Sequence, residues 1–477
     1  MRALVPFVVC GLVLADSAVY ADNSSSADSP PYDTVPTEPA QEEAPPPDRA
    51  NGIVRKDESS GSGLIWIPRA VLFVPRATAW AIAQPIRGAT YVYERYELGS
   101  RFMDATFTDD RTFGVYPVAG YDSNFGFSVG ARVLYKDIFG DGERIKLRAD
   151  WGGQFRYGYG VNVRSGHRFG PLSFGFDSSY ERRREKFYGI GNGPTLDAVP
   201  DMPIDASLDD TAIKSRFSER VVRHTADVKI RYVDDLHSRV SGALMQRDFG
   251  PGDDLDITMR YDTSTLVGFT SGVNNVYVEH ELAYDTRRPS SEFETQTLDA
   301  TGWLVSVHTG AARGIEGDPT HYYRYGGEIQ RYFDLYHGSR VLALRALFDA
   351  VADTDVRTDG RISFVDLPRL GGTEYLRGYP TDRFRDRAVA LGTAEYSWTV
   401  GANLAAYTFV DVGRPIASVD DAESLDAIRL GFGGGLQIHT RNTFLTRMQL
   451  AASRDGDFAI NLIFSPAFGR RERAGKY

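Results

Sequence analysis

Three stretches of this chain combine residue types and spacing that chemistry uses. The first is LGGTEYLRGYPTDRFRDR at 370–387, where Arg377 stands among Gly371, Gly372 and Gly378 and is followed by Tyr379, Arg383, Arg385 and Arg387. Loops rich in glycine and arginine suggest phosphate or nucleic acid. The second is GFSVG at 126–130, which matches the Gly-x-Ser-x-Gly pattern around Ser128. A nucleophile elbow needs a strand-to-helix turn, but this pattern lies inside a strand-like run, FGFSVGARVLY. The third, GFGGGLQ from Gly431, lacks the full dinucleotide pattern and is flanked by strand, so it reads as close packing or bending. The histidines are scattered without helical metal-ligand spacing, and Asp234 with Asp235 reads as a solvated hairpin end. No catalytic residue, cofactor or metal is expected, and the protein is read as a non-enzyme.

Charge argues against the nucleic-acid reading of the arginine loop. The 477-residue chain carries a formal net charge of -10, whereas nucleic-acid binders show a basic face. The N-terminus explains more. Arg2, an apolar run over 3–15 and small residues at Val19-Tyr20-Ala21 read as a secretory signal peptide over 1–21. The only cysteine, Cys10, lies within it, so no disulfides are expected in an oxidising compartment. Residues 22–63, rich in Pro, Ser and acids, cannot bury enough apolar surface to order and read as a linker. Residues 64–111 repeat a Pro-Arg-Ala step and read as a short periplasmic or interfacial segment, either amphipathic helices at a membrane surface or a packed helical cap. No stretch offers the roughly 18 or more uninterrupted apolar residues of a membrane helix.

Period two dominates from about residue 112. In RIKLRAD, Arg144, Lys146, Arg148 and Asp150 oppose Ile145, Leu147 and Ala149. In TADVKIRY, Thr225, Asp227, Lys229 and Arg231 oppose Ala226, Val228, Ile230 and Tyr232. TAEYSW, from Thr393, and RMQLAAS, from Arg447, behave alike. Strict alternation means strands with one apolar and one polar face. Many runs reach the roughly 9–11 residues needed to cross a bilayer at a tilt. Their count is about sixteen, an even number as bacterial outer-membrane barrels require. The fold class read here is all-β: a transmembrane antiparallel β-barrel over 112–468, with a short helical or irregular segment before it and a basic tail, 469–477, after it.

The arginine loop then falls between two strands, RVLALRALFDA ending at Ala350 and AVALGTAEYSWTV starting at Ala388. A connection that long is functional or disordered, and its glycines argue for a defined path. If it folds into the lumen, Arg377 needs carboxylates. Glu395, on the polar face of the next strand, and Asp411, in YTFVDVG on the one after, are the candidates. The alternative is a surface loop with a solvated arginine. Arg383, Arg385 and Arg387 are read as solvated in either case.

LGGTEYLRGY resembles the loop-six signature of the BamA/TamA family of outer-membrane proteins, the bacterial surface antigen family. GVYPVAGYDSNFGFSVGAR, FYGIGNG from Phe187 and AYDTRRPS from Ala283 resemble further pieces of it. The resemblance implies a sixteen-stranded barrel whose loop, between the eleventh and twelfth strands, dips into the lumen so that Arg377 meets Glu395 and Asp411. It also implies insertion or translocation of proteins, or of lipids, at the outer membrane, through that loop and a weak seam between first and last strands. The partners it implies are outer-membrane lipids and unfolded outer-membrane or secreted proteins, with a separate periplasmic accessory chain; nucleic acid is not among them. Two features depart from the family. No periplasmic POTRA domain is recognisable before residue 112, and GRRERAGKY follows the last strand. The rival readings are a passive outer-membrane pore and a lipid hydrolase working through Ser128.

Overall fold

A computed structural model describes residues 95–463 and Phe468, except 123–125, 153–155, 196–201, 207–211, 253, 290–297, 354–361, 402–403, 418–427 and 440–443. The segments read as a signal peptide (1–21), a linker (22–63) and a basic tail (469–477), together with residues 64–94, lie outside the described residues. Among the described residues one helix, α1 (Leu98–Thr106), precedes the strands. Four strands follow it: β1 (Phe113–Asp122), β2 (Gly126–Lys136), β3 (Arg144–Trp151) and β4 (Tyr157–Arg164). Longer ones come next: β5 (Leu172–Phe187), β6 (Ser215–Val233), β7 (Leu236–Pro251) and β8 (Val273–Asp285). Then come β9 (Gly302–Gly314), β10 (His321–Asp334), β11 (Arg340–Asp353) and β12 (Ala388–Gly401). The last are β13 (Leu404–Ile416), β14 (Arg429–His439), β15 (Phe444–Ser453) and β16 (Phe458–Ile463).

All sixteen form one antiparallel sheet in which each strand pairs with its neighbours in the chain. Burial on this sheet is inverted relative to a water-soluble protein. Glu279, Ser306, Glu328, Gln330, Asp349, Glu395, Asp411 and Gln449 are buried, while Val305, Val307, Ile329, Leu344, Val410, Val412 and Leu450 are exposed. In water so large an apolar surface would drive association. Against hydrocarbon it is the solvated face, and the polar face lines the lumen. The sheet is therefore an outer-membrane β-barrel. Among the described residues no helix is long and apolar enough to span a bilayer; the strands do the crossing. Ser128 lies within β2, paired with Gly120 of β1, and not on a strand-to-helix turn.

The two ends of the barrel differ. One carries the short turns 234–235 and 335–339 and a single longer connection, 286–301; the other carries the long connections 188–214, 252–272 and 354–387. Bacterial barrels keep short turns in the periplasm and long loops outside, which orients the molecule. β5, β6 and β7 have 16, 19 and 16 residues, more than a tilted crossing needs. Their outer ends present Phe187, Phe217 and Phe249, whose rings lie 5.8, 5.4 and 5.0 Å from the ring of Phe364 in the long connection after β11. That aromatic cluster fixes the entry of the 354–387 loop.

At the opposite end α1 packs Phe102, Met103 and the following Phe107 against Tyr116, Val118 and Leu134 on the lumenal face of β1 and β2. Phe107 stacks on Tyr116 at 5.7 Å. This helix falls in the segment expected to be helical or irregular; the Pro-Arg-Ala repeats themselves lie outside the described residues.

Candidate functional site

The loop after β11 runs into the lumen, and its glycines permit the path. Gly371, Gly372 and Gly378 all take positive φ, as does Leu376 (φ 65°). The amide of Gly372 donates to the carbonyl of Tyr379 at 3.1 Å, closing the turn. A left-handed leucine is uncommon; here burial of its side chain with Leu370, Tyr379, Phe384, Leu347, Val389 and Leu391 holds it. Arg369–Leu370 and Phe384–Arg385 pair as a small ladder at the neck of the loop.

Arg377 then points at the wall. Its Nε and Nη2 donate to Asp411 Oδ2 and Oδ1, each at 2.8 Å, and its backbone amide donates to Asp411 Oδ2 at 2.8 Å. Its Nη1 donates to Glu395 Oε2 at 2.6 Å. The guanidinium carbon sits 3.5 Å from the centre of the Phe409 ring. Charge-assisted, bidentate bonds of this kind are the strong ones. Burial disfavours the cation, but Asp411 and then Glu395 outweigh it, and the net direction of the Arg377 pKa is up.

The site has a further member that sequence reasoning missed. Arg447 of β15 donates from Nη2 to Glu395 Oε1 at 2.7 Å and lies 3.8 Å over the Tyr407 ring. Alternation had set Arg447 on a polar face, the one signal available; the pairing needed the sheet to bring β15 opposite β12. Glu395 is thus shared between two arginines. Arg447→Met is expected to destabilise the barrel by about 1.5–3 kcal/mol, the worth of a hydrogen bond to a charged group. Chemical unfolding in detergent would measure it, and no change would mean that Arg377 alone satisfies Glu395.

Two glycines let the loop come this close. A Cβ on Gly378 would meet the carbonyl of Ala452 on β15 at 2.4 Å, and a Cβ on Gly431 of β14 would meet the Arg377 carbonyl at 1.8 Å. The GFGGGLQ run, read as close strand packing, is in part the floor on which the loop rests.

The reading of Arg383 and Arg385 as solvated is overturned; Arg387 is exposed as expected. Arg383 donates to the Gly193 carbonyl at 2.6 Å and to Thr195 Oγ1 at 3.2 Å. Arg385 is fully buried, donates to the carbonyl of Phe364 at 3.2 Å and lies 5.0 Å over the Phe187 ring. Among the described residues no carboxylate pairs with it, and burial pulls its guanidinium down to about 10. The Gly191 amide donates to the Arg385 carbonyl at 2.8 Å, and Arg429 donates from Nε to Asn192 Oδ1 at 2.9 Å. The FYGIGNG segment is therefore a clamp over the loop. Carbonyl oxygens take these arginines, which is why a search for acidic partners did not find them.

Elsewhere in the lumen the loop is tied by Asp366, which accepts from Arg247 Nη1 at 2.9 Å, and by Tyr375, whose ring lies 4.5 Å from the Arg345 guanidinium. The loop thus spans the interior and contacts walls on both sides.

Sixteen strands, an inverted apolar surface and a buried inward loop define a membrane β-barrel with a lumenal loop tied to its wall. The family model for the Omp85 superfamily domain matches residues 209–457, just over half of the chain. The chain belongs to the Omp85 superfamily. Among solved structures it is similar to BamA from Haemophilus ducreyi lacking POTRA domains 1–3, at 12% identity and a TM-score of 0.51, covering 74% of this chain and 69% of that one. It is also similar to CdiB from Escherichia coli (12% identity, TM-score 0.44, 73% of this chain and 59% of that one) and CdiB from Acinetobacter baumannii (11%, 0.41, 73% and 57%). The chain thus spans less than two thirds of the CdiB chains. No functionally curated protein matches it.

Proposed function

We propose that this barrel assists the insertion or translocation of protein clients at the outer membrane, and that it works mechanically, without covalent chemistry. The observation that carries the reading is the seating of the Arg377 loop. It crosses the lumen from β11 to rest on β12, β13, β14 and β15, next to the end of the sheet. A brace there holds the last strands in register while leaving the first and last free to part. β1 (Phe113–Asp122) and β16 (Phe458–Ile463) are the two ends of the strand order. Pro117 in β1 suits an edge, since proline cannot complete a central ladder. A client strand adding to such an edge would gain main-chain hydrogen bonds. Lipids of the outer membrane and a separate periplasmic chain delivering clients belong to the same proposal.

Proteoliposomes test it. An unfolded outer-membrane protein is added to vesicles holding this barrel, its Arg377→Ala variant, or nothing. Acceleration of folding by the wild type, lost in the variant, is the expected result. Equal folding in all three, together with steady ion conductance by the wild type, would mean a passive pore.

A further inference from the structure

The outward face of β9–β12 near the periplasmic rim breaks the apolar pattern in one place. Along β10 the exposed apolar and aromatic residues are Tyr323, Tyr325, Ile329 and Phe333, but between the last two stands Arg331. It pairs across the sheet with Trp303 on β9 and Leu344 on β11, both exposed, so its side chain leaves the lipid-facing surface. The strand ends three residues later at Asp334, so Arg331 lies roughly 10 Å along the strand from the turn at about 3.4 Å per residue. That places it near the short-turn end of the strand.

Two rings hold the guanidinium. Its carbon lies 4.8 Å from the Trp303 ring centre and 4.9 Å from that of Phe333. The faces of the cation are thereby covered, while Nε has no hydrogen-bond partner. Among the described residues no carboxylate pairs with Arg331. Of the two acids three residues away, Glu328 is buried on the lumenal face, and Asp334 already accepts from the amides of Tyr336 and Gly338 at 3.1 and 2.7 Å. On the next strand Arg340 is exposed on the same outward face, 5.8 Å from the Tyr336 ring and paired in register with Trp398. Trp398 in turn stacks on Tyr396 at 5.7 Å.

An arginine on a lipid-facing surface without a protein counter-ion must find an anion or reach water. At the periplasmic rim the anion at hand is the phosphodiester of a phospholipid, which a guanidinium binds through two parallel N–H groups. Interfacial tryptophan and tyrosine suit the same level of the membrane. We propose that β9–β12 carry a phospholipid-binding site on the outer wall, in which Arg331, held by Trp303 and Phe333, takes the headgroup phosphate, and Arg340, four residues nearer the rim than the partner of Arg331 and beside Trp398, adds positive charge at the headgroup level. The site lies on strands that continue into the wall to which the Arg377 loop is anchored, but it does not depend on the proposed insertion role.

The test is lipid retention. Wild type and the Arg331→Gln/Arg340→Gln double variant are purified in a mild detergent, titrated with a phosphatidylglycerol and read by native mass spectrometry. Retention is expected to fall about fivefold for each arginine removed, and a diacylglycerol, which lacks the phosphate, should not distinguish the proteins. Glycerol 3-phosphate should fail to displace the lipid. Equal retention of the phospholipid by both proteins overturns the proposal, and displacement by glycerol 3-phosphate would mean a free-phosphate site. If the double variant does not fold, Arg340→Gln alone carries the readout from the exposed rim, with unchanged retention overturning the assignment of that residue.

Discussion

Arg377→Ala is expected to destabilise the folded barrel by about 3–5 kcal/mol, the range for removing one partner of a buried charge pair. The cost falls mainly on Asp411. That carboxylate is fully buried and receives three N–H bonds from Arg377, one from the backbone and two from the guanidinium. Glu395 keeps Arg447 at 2.7 Å. Arg377→Lys should recover only part of the loss, since an ammonium cannot make the bidentate bond to Asp411 and reach Glu395 together. The double variant Arg377→Met/Asp411→Leu should be less damaging than Arg377→Ala, because no unpaired carboxylate remains inside. Denaturant titration in detergent micelles, followed by tryptophan fluorescence and by the gel mobility of folded against unfolded barrel, measures all three. A loss below about 1 kcal/mol for Arg377→Ala, within the worth of a solvated surface pair, would mean that the ion pairs do not hold the loop.

Gly431→Ala is the second large effect, and it isolates the docking of the loop from its charge. Gly431 lies in β14 and is not among the glycines with positive φ, so alanine is conformationally acceptable there. The obstacle is contact alone: the new methyl group would lie 1.8 Å from the Arg377 carbonyl oxygen. Arg377 cannot retreat, because its own amide and guanidinium are bonded to Asp411. Overpacking of this kind costs about 1–3 kcal/mol. The loss should largely vanish in an Arg377→Ala background, where the loop is no longer pinned, so the two substitutions should be strongly non-additive. Additive losses would mean that Gly431 matters to the strand and not to the loop.

Much of this was legible in the residues. Period-two alternation determined that the chain forms strands, and their length and even number determined a membrane barrel, because side-chain direction in a strand follows from local geometry alone. The same alternation put Glu395 on a lumenal face and left the long connection after the eleventh strand as the candidate site. It could not reveal Arg447 as the second partner of Glu395, since β15 meets β12 only through the curvature of the whole sheet. Nor could it reveal that Arg383 and Arg385 are buried. Arginine is ordinarily a surface residue, and the groups that satisfy these two are backbone carbonyls of Gly193 and Phe364, which leave no mark in a sequence. The residues by themselves determined which faces are apolar, where the loop begins and ends, and that Arg377 needs an acid. Only the tertiary structure decided which charges share a partner and how closely the loop meets the wall, because those depend on distances between elements far apart in the chain.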